Sequence, residues 1–335
     1  MTASEPKVSI VIPNRNGMTP RDGLTYLDMV LPSLREQSFR DFDVTVVDNG
    51  STDESVAYLA REWPEVRVVE LTENTGFPAA VNRGIEASGG EYVALLNNDV
   101  ELSADWLEKL VAELDGDPGL GFVTGKVMRF TERDVIEQAG HDFYTCGRFV
   151  PRGRDERDAG QYDERAPTAI VTAAAAMYRR AAVERVGGLD EDYFLYVEDA
   201  DLSLRMMLAG YRGLYVPEPR AFHVEGGTVG PEPNMPRFFL MRNTLTTLVK
   251  DLPASILLGS LPKILLYHWG QLLHGRREGF GRTVWQAYLA FLRDIPGTLR
   301  KRRRVQGDRR MPVAEFRALV RTEYPFPTRV GRLLR

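Results

Sequence analysis

Glu91-Tyr92-Val93-Ala94-Leu95-Leu96-Asn97-Asn98-Asp99-Val100 is an apolar run that ends in three polar residues. Entered from Gly89-Gly90, the run Tyr92 to Leu96 reads as a buried strand of a parallel sheet. Polar residues just past such a strand stand at its C-terminal edge, where open α/β sheets bind their ligands. Asp99 is thus placed to hold either a metal or a phosphate partner.

The sequence before it repeats the pattern. Val8 to Pro13 is a short apolar strand, closed by the turn formers Asn14, Asn16 and Gly17. Leu24, Leu27, Leu31 and Leu34 follow at helical spacing. Asp43 to Val47 is a second strand, leading into Asp48-Asn49-Gly50-Ser51. Ser51 and Glu54 have the spacing of a capping box, which predicts a helix start there. Val66 to Leu71 is a third strand. Pro78 suits the first turn of a helix that ends near Ser88. After the opening strand, Ser103 starts a helix with Leu107, Leu110, Val111 and Leu114 on one face. Strand and helix alternate with short loops, which predicts an α/β fold with a mostly parallel, Rossmann-like sheet flanked by helices. Asn14, Asp48 and Asp99 then gather along one sheet edge. Neither a P-loop nor a G-x-G-x-x-G motif follows the first strand.

Beyond Gly121 the pattern changes. Gly121 to Met128 reads as a strand, residues 130–167 as irregular or short strands, and Arg179 to Val186 as a short helix. Glu198, Asp199 and Asp201 stand at the start of a helix carrying Leu202, Met206 and Ala209. A helix dipole stabilises such carboxylates by roughly 0.3–1 kcal/mol each, and that suffices for Asp201. Tyr211 to Val216 is a predicted strand, and Pro217 to Gly227 a predicted loop carrying His223.

Two units are expected, 1–235 and 236–335, the second a helical extension with several apolar stripes. The net charge of -4 hides a split between them: -18 on the first and +14 on the second, which has 20 Lys+Arg against 6 Asp+Glu. The basic extension reads as a solvated helical face, an oligomer contact or a seat on a membrane surface; no motif supports nucleic acid. Cys146 is the only cysteine, which excludes an internal disulfide and suits a reducing compartment. Met1 to Lys7 has no character of a signal peptide, and no run reaches the roughly 18 apolar residues of a spanning helix. The expected place is cytoplasmic, peripheral on the inner face of the membrane.

Hard divalent cations take oxygen ligands and keep waters and substrate phosphates in their shell, so Asp99 with one more ligand suffices for Mg²⁺. Mn²⁺ also accepts imidazole, which brings in His223.

Five blocks carry a resemblance when taken in order. They are Val8 to Gly17; Val47 to Asp53; Asn74 to Phe77 with Asn82-Arg83-Gly84; Leu95 to Asp99; and Tyr196 to Arg205 after Gly187 to Phe194. Over about residues 7–228 the chain resembles glycosyltransferase family 2, and most of all its rhamnosyltransferase-like branch. The resemblance implies a GT-A fold. It also implies a metal-dependent, inverting transfer of a sugar, rhamnose by the branch, from a nucleotide diphosphate sugar. The expected donor is a dTDP- or UDP-sugar; the basic extension, read as a membrane-surface helix, adds the expectation of a glycan or lipid-linked acceptor in cell-surface polysaccharide assembly. The resemblance implies that Asp48 contacts the base and that Pro13, Asn14 and Asn16 line the nucleotide. Gly76 and Asn82 form the turn near ribose and diphosphate, with Asn97 and Asn98 beside them. By the same resemblance Asp99 and His223 are expected to hold Mg²⁺ or Mn²⁺, and Asp199 to be the base, with Glu198 as runner-up. Asn97 departs from the family's D-x-D pattern at its first position. A sugar nucleotidyltransferase and a non-catalytic nucleotide- or glycan-binding module are the alternatives.

Overall fold

The computed structural model describes residues 5–224 and 234–322. Residues 225–227 of the expected loop and 323–335 of the expected extension lie outside them. The first half runs β1 (Val8–Asn14), α1 (Leu27–Arg35), β2 (Phe42–Asn49), α2 (Ser55–Glu62), β3 (Arg67–Leu71), α3 (Phe77–Glu86), β4 (Tyr92–Leu96), β5 (Val100–Leu102) and α4 (Trp106–Gly116). The second continues with β6 (Leu120–Arg129), β7 (Ile136–Gln138), β8 (His141–Tyr144), β9 (Arg148–Pro151), β10 (Ala166–Pro167), β11 (Ala175–Arg179) and α5 (Arg180–Val186). A 3₁₀ turn (Glu191–Tyr193), α6 (Glu198–Leu208) and β12 (Arg212–His223) precede four helices: α7 (Met235–Asp251), α8 (Ala254–Arg277), α9 (Gly281–Gly307) and α10 (Val313–Leu319).

The strands form one mixed sheet of order β10-β12-β6-β11-β4-β1-β2-β3, with β5 on β12 and β7 on β6. β1, β2, β3 and β4 are mutually parallel where they pair, and β6 is parallel to β12. β11 runs antiparallel between β4 and β6. β4 is buried along its whole length. Its side chains alternate by the period of two of a strand. Val93 and Leu95 enter one core layer, and Tyr92, Ala94 and Leu96 the other. The second layer is filled by α1, α2 and α4. The first is filled by α3, α5, α6 and residues of the C-terminal helices such as Leu248, Ile256 and Phe316. Gly84 lets α3 settle on the sheet, since a Cβ there would stand 2.3 Å from Val11 Cγ1.

Three expectations change. The capping box does not form: Ser51 Oγ instead donates to Asp48 Oδ1 at 2.5 Å, and α2 begins at Ser55 without a side-chain cap. The loop after Val216 is the second half of β12, bulged between Tyr215 and Arg220, so His223 ends a strand rather than sitting in a loop. The bulge absorbs Pro217 and Pro219, which cannot donate to a regular ladder.

Asp201 needs more than a helix dipole, because it is fully buried. Arg205 Nη2 lies 2.7 Å from Asp201, Lys250 of α7 pairs with it, and the Tyr193 hydroxyl donates to it at 3.1 Å. Burial opposes the charge, but Arg205 and Lys250 outweigh it and hold the Asp201 carboxyl well below the usual carboxylate range. Lys250 also reaches Asp190 at 2.6 Å, and Lys301 of α9 pairs with Asp190 and, at 2.6 Å, with Asp192. Removing one member of a buried pair leaves an uncompensated charge. Lys250→Met is therefore expected to lower unfolding free energy by about 3–5 kcal/mol, read in guanidinium titrations. A loss below about 1 kcal/mol would place this pair with exposed ones in energetic terms.

Candidate active site

Asp99 follows β4, as the sequence suggests. Beside it, the Asn97 amide donates to the carbonyl of Ala174 at 3.0 Å, and Val224 donates to the carbonyl of Asp99 at 3.0 Å. β5 lies antiparallel to β12, with Val100 opposite His223. That register brings His223 Nε2 to 3.3 Å from Asp99 Oδ1, although 124 positions separate them. On the far side of the ring, His223 Nδ1 stands 2.8 Å from Glu137 Oε2, from β7. Burial disfavours the imidazolium, but the hydrogen bonds to Asp99 and Glu137 prevail and push the His223 pKa up to about 10.

A cleft of about 250 Å³ gathers Pro13, Asn97, Asn98, Asp99, Glu198, Asp199 and His223 with Phe77, Leu195 and Tyr196. Once His223 Nε2 gives up its proton, Asp99 and His223 offer an oxygen and an imidazole nitrogen on one wall, a donor set suited to a hard or borderline divalent cation. Among the described residues no group of three or more His, Cys, Asp and Glu is placed to hold an ion. Two protein ligands still fit a cation that keeps waters and phosphate oxygens. Glu137 binds the opposite ring nitrogen and so orients the imidazole.

The loops expected to line a nucleotide are joined by side chains. Asn98 Nδ2 donates to Asn14 Oδ1 at 2.8 Å, and Asn14 Nδ2 to Asp48 Oδ1 at 3.2 Å. Asp48 Oδ2 also accepts from the Ser51 amide at 3.0 Å. Asn16, in a left-handed conformation (φ 55°), accepts from the Thr52 amide at 2.8 Å through Oδ1. Gly76 caps α3 with φ 87°, and a Cβ there would meet the Phe194 carbonyl at 2.6 Å, so the position excludes any side chain. Asn82 stands elsewhere. Its amide is engaged by Leu189 N and O, each at 2.9 Å, and it faces a larger cavity of about 560 Å³ with Gly187 and Gly188. It fixes α3 to the Gly188 loop, and the structure does not bring it to the cleft.

The acidic pair opens α6. Glu198 is buried, and its Oε2 meets no hydrogen-bond partner among the described residues. Burial and the neighbouring Asp199 drive its pKa well above the usual carboxylate range. Asp199 is raised too, by burial, although the amides of Ala200 (2.7 Å) and Ala173 (3.2 Å) donate to it and favour its ionised form. Glu198 is thus held as the acid and Asp199 as the readier anion.

The approach to this pair is strained. Phe194, Tyr196 and Val197 all have positive φ (62°, 67° and 73°), where each such residue costs on the order of 1–3 kcal/mol. Asn243 of α7 holds them. Its Nδ2 donates to the carbonyls of Tyr193 (3.0 Å), Leu195 (2.8 Å) and Tyr196 (2.8 Å). Arg242 adds a bond to the Tyr193 carbonyl at 3.0 Å, and Phe239 stacks on Phe194 with centroids 5.2 Å apart. Tyr193 is a core residue with its hydroxyl on Asp201 and Thr247, and only Leu195 and Tyr196 of this loop reach the cleft. Glu137 and Asn243 escape a sequence reading that looks for loops after strands. The available signal was a charged or amide residue interrupting apolar spacing, as in Ile136-Glu137 and between Phe239 and Thr247.

A family model described as "Glycosyl transferase family 2" matches residues 9–187, more than half of the chain. The N-acetylglucosaminyl-diphospho-decaprenol L-rhamnosyltransferase of Mycobacterium tuberculosis is 30% identical over 233 residues, covering 62% of this chain and 75% of that protein. The O-antigen biosynthesis protein RfbC of Myxococcus xanthus is 30% identical over 235 residues, covering 67% of this chain but only 18% of that protein. Among solved structures, mannosyltransferase PcManGT from Pyrobaculum calidifontis, in complex with GDP-Man and Mn²⁺, has a TM-score of 0.51 at 20% identity, covering 87% of this chain and 88% of that one. GalNAc-T7 with UDP, GalNAc and Mn²⁺ has a TM-score of 0.59 at 17% identity, covering 78% of this chain and 51% of that one. The solved structures share the GT-A fold, and the sequence match is specific enough to name the group: the chain belongs to glycosyltransferase family 2.

Proposed function

We propose that this glycosyltransferase transfers a sugar, with inversion, from a nucleotide diphosphate sugar to a hydroxyl of a lipid-linked or glycan acceptor during cell-surface polysaccharide assembly. The observation that carries this is the single cleft that holds Asp99 and His223 together with Glu198 and Asp199. The relatives named for rhamnosyl transfer and O-antigen synthesis favour rhamnose and a dTDP- or UDP-sugar. Residues 1–235 are read as the transferase unit and the helices from 236 as an extension that supports it.

Asp199 takes the proton of the attacking hydroxyl as that oxygen bonds to the anomeric carbon and the nucleotide diphosphate departs from the opposite face. A base must be ionised to act, so its raised pKa makes it a stronger acceptor, and the rate climbs with pH as Asp199 ionises. Glu198, carrying its proton, adds no second negative charge beside it. Asp48, Asn14 and Asn98 shape the nucleotide side. Asp99 and His223 would hold Mg²⁺ or Mn²⁺, which supplies positive charge against the diphosphate leaving group. Glu137 keeps the His223 ring turned toward that position.

Release of nucleotide diphosphate from dTDP-, UDP- and GDP-sugars tests the reading. Asp199→Asn is expected to lower kcat by about 10²–10⁴-fold; wild-type turnover would remove Asp199 from the base role. Mn²⁺ titration calorimetry tests the other wall. Asp99→Ala abolishes binding, and Glu137→Gln weakens it by roughly 10–100-fold. Turnover that ignores metal would end the role given to Asp99 and His223. Asn243→Asp keeps the size but loses the amide donors, so kcat falls while nucleotide affinity stays near wild type. An unchanged kcat would mean that the loop holds its shape without α7.

A further inference from the structure

α8 is built inside out. Its inward row is Ile256, Ser260, Ile264 and His268, all buried at four-residue spacing. Two of these are polar: Ser260 Oγ donates to Thr145 Oγ1 at 2.8 Å, and His268 Nδ1 lies 3.1 Å from the Tyr288 hydroxyl, while His268 Nε2 meets no partner among the described residues. Its outward row is more apolar. Leu258, Leu261, Leu265, Trp269 and Leu273 are 40–69% exposed and fall on one face by their spacing. α9 continues the theme with Trp285, Leu289, Leu292 and Leu299, 42–56% exposed. Among the described residues, the one other large exposed apolar side chain is Leu240 of α7. Soluble surfaces scatter such residues singly, so a concentration of this kind marks a contact site.

The charge on the same helices selects the partner. α8 contains no Asp or Glu and ends in Arg276-Arg277. In α9, Arg282, Arg300 and Arg303 are exposed at spacings that keep them beside the Trp285 row, and Asp294 is the only acid. Leucine and tryptophan rows flanked by arginine are the composition of a helix lying in a lipid headgroup region. A second copy packed by a twofold axis would set these arginine rows against themselves, which like-charge repulsion opposes. Among the described residues no helix is long and apolar enough to cross a membrane, so contact would be from one side.

We propose that the α8–α9 hairpin docks this glycosyltransferase on an anionic bilayer, with the leucine and tryptophan rows entering the headgroup boundary and the arginines meeting lipid phosphates. This deepens the reading above and rests on its lipid-linked acceptor, which such docking would present to the cleft.

Flotation of the full chain tests it, with phosphatidylcholine vesicles and with vesicles of phosphatidylcholine and phosphatidylglycerol. The chain is expected to float with the anionic vesicles only. Trp63 and Trp106 are buried while Trp269 and Trp285 are exposed, so binding blue-shifts the emission of the hairpin tryptophans. Each arginine near an anionic surface is worth about a fivefold change in partitioning, so Arg282→Gln with Arg300→Gln lowers binding on the order of tenfold or more. Leu265→Glu with Trp269→Glu abolishes it. Circular dichroism and nucleotide diphosphate release in the absence of vesicles confirm that both variants are folded. Failure to float, or equal flotation on neutral vesicles, would overturn the proposal. So would a dimer in light scattering that Leu265→Glu with Trp269→Glu dissociates. Vesicle binding without sugar transfer would instead sink the functional reading and leave the docking surface standing.

Discussion

A carboxylate with no exposure, Asp201, sets the terms for the rest of the molecule. It lies two residues past Asp199, on the first turn of α6, and it can stay charged only if cations are brought to it. Arg205 comes from its own helix, but Lys250 comes from α7, and Lys301 joins through Asp190 and Asp192. The C-terminal helices are thereby bound to the start of α6 by charge as well as by the apolar layer containing Leu248, Ile256 and Phe316. Alone, either kind of contact would leave α6 less well fixed. Burial without cations would protonate Asp201, and cations without burial would be screened.

From this anchor the loop that leads into the acidic pair acquires its shape. Phe194, Tyr196 and Val197 would relax if free, because positive φ is unfavourable for bulky residues. Asn243 lies on the same helix as Lys250, so the ion network that seats α7 also seats the amide that holds the loop. The acidic pair then meets the sheet edge at a fixed place. On the other side, one strand register fixes His223 against Asp99, and Glu137 fixes the ring. The cleft is therefore assembled from two independently braced halves.

Much of the first half of the chain was legible. β1 to β4 and their helices announce themselves by local apolar spacing, and Asp99 follows from the rule that ligands gather at strand ends. Family membership was legible too, because five blocks stood in order, and it sets sugar transfer above the nucleotidyltransferase alternative. What stayed hidden was non-local. The antiparallel insertion of β11 between β4 and β6 leaves no mark in the spacing of Ala175 to Arg179. The strand character of Pro217 to His223 was masked by two prolines that a bulge accommodates. The motif puts Asn82 near ribose and diphosphate, yet its amide hydrogen-bonds to Leu189 and Glu191, 107 and 109 positions away. Asp201 was given to the helix dipole because Lys250 cannot be seen from its neighbours in sequence.

The clamp by Asn243 bears on how such enzymes can be recombined. A loop whose shape is imposed from another segment is not a portable cassette. Exchanging residues 188–199 for those of a relative would import a chain selected against a different helix. The unit of exchange here is the loop together with α7. Diversification of this loop is then expected to proceed by paired change across about fifty positions of sequence, the separation of Tyr193 from Asn243.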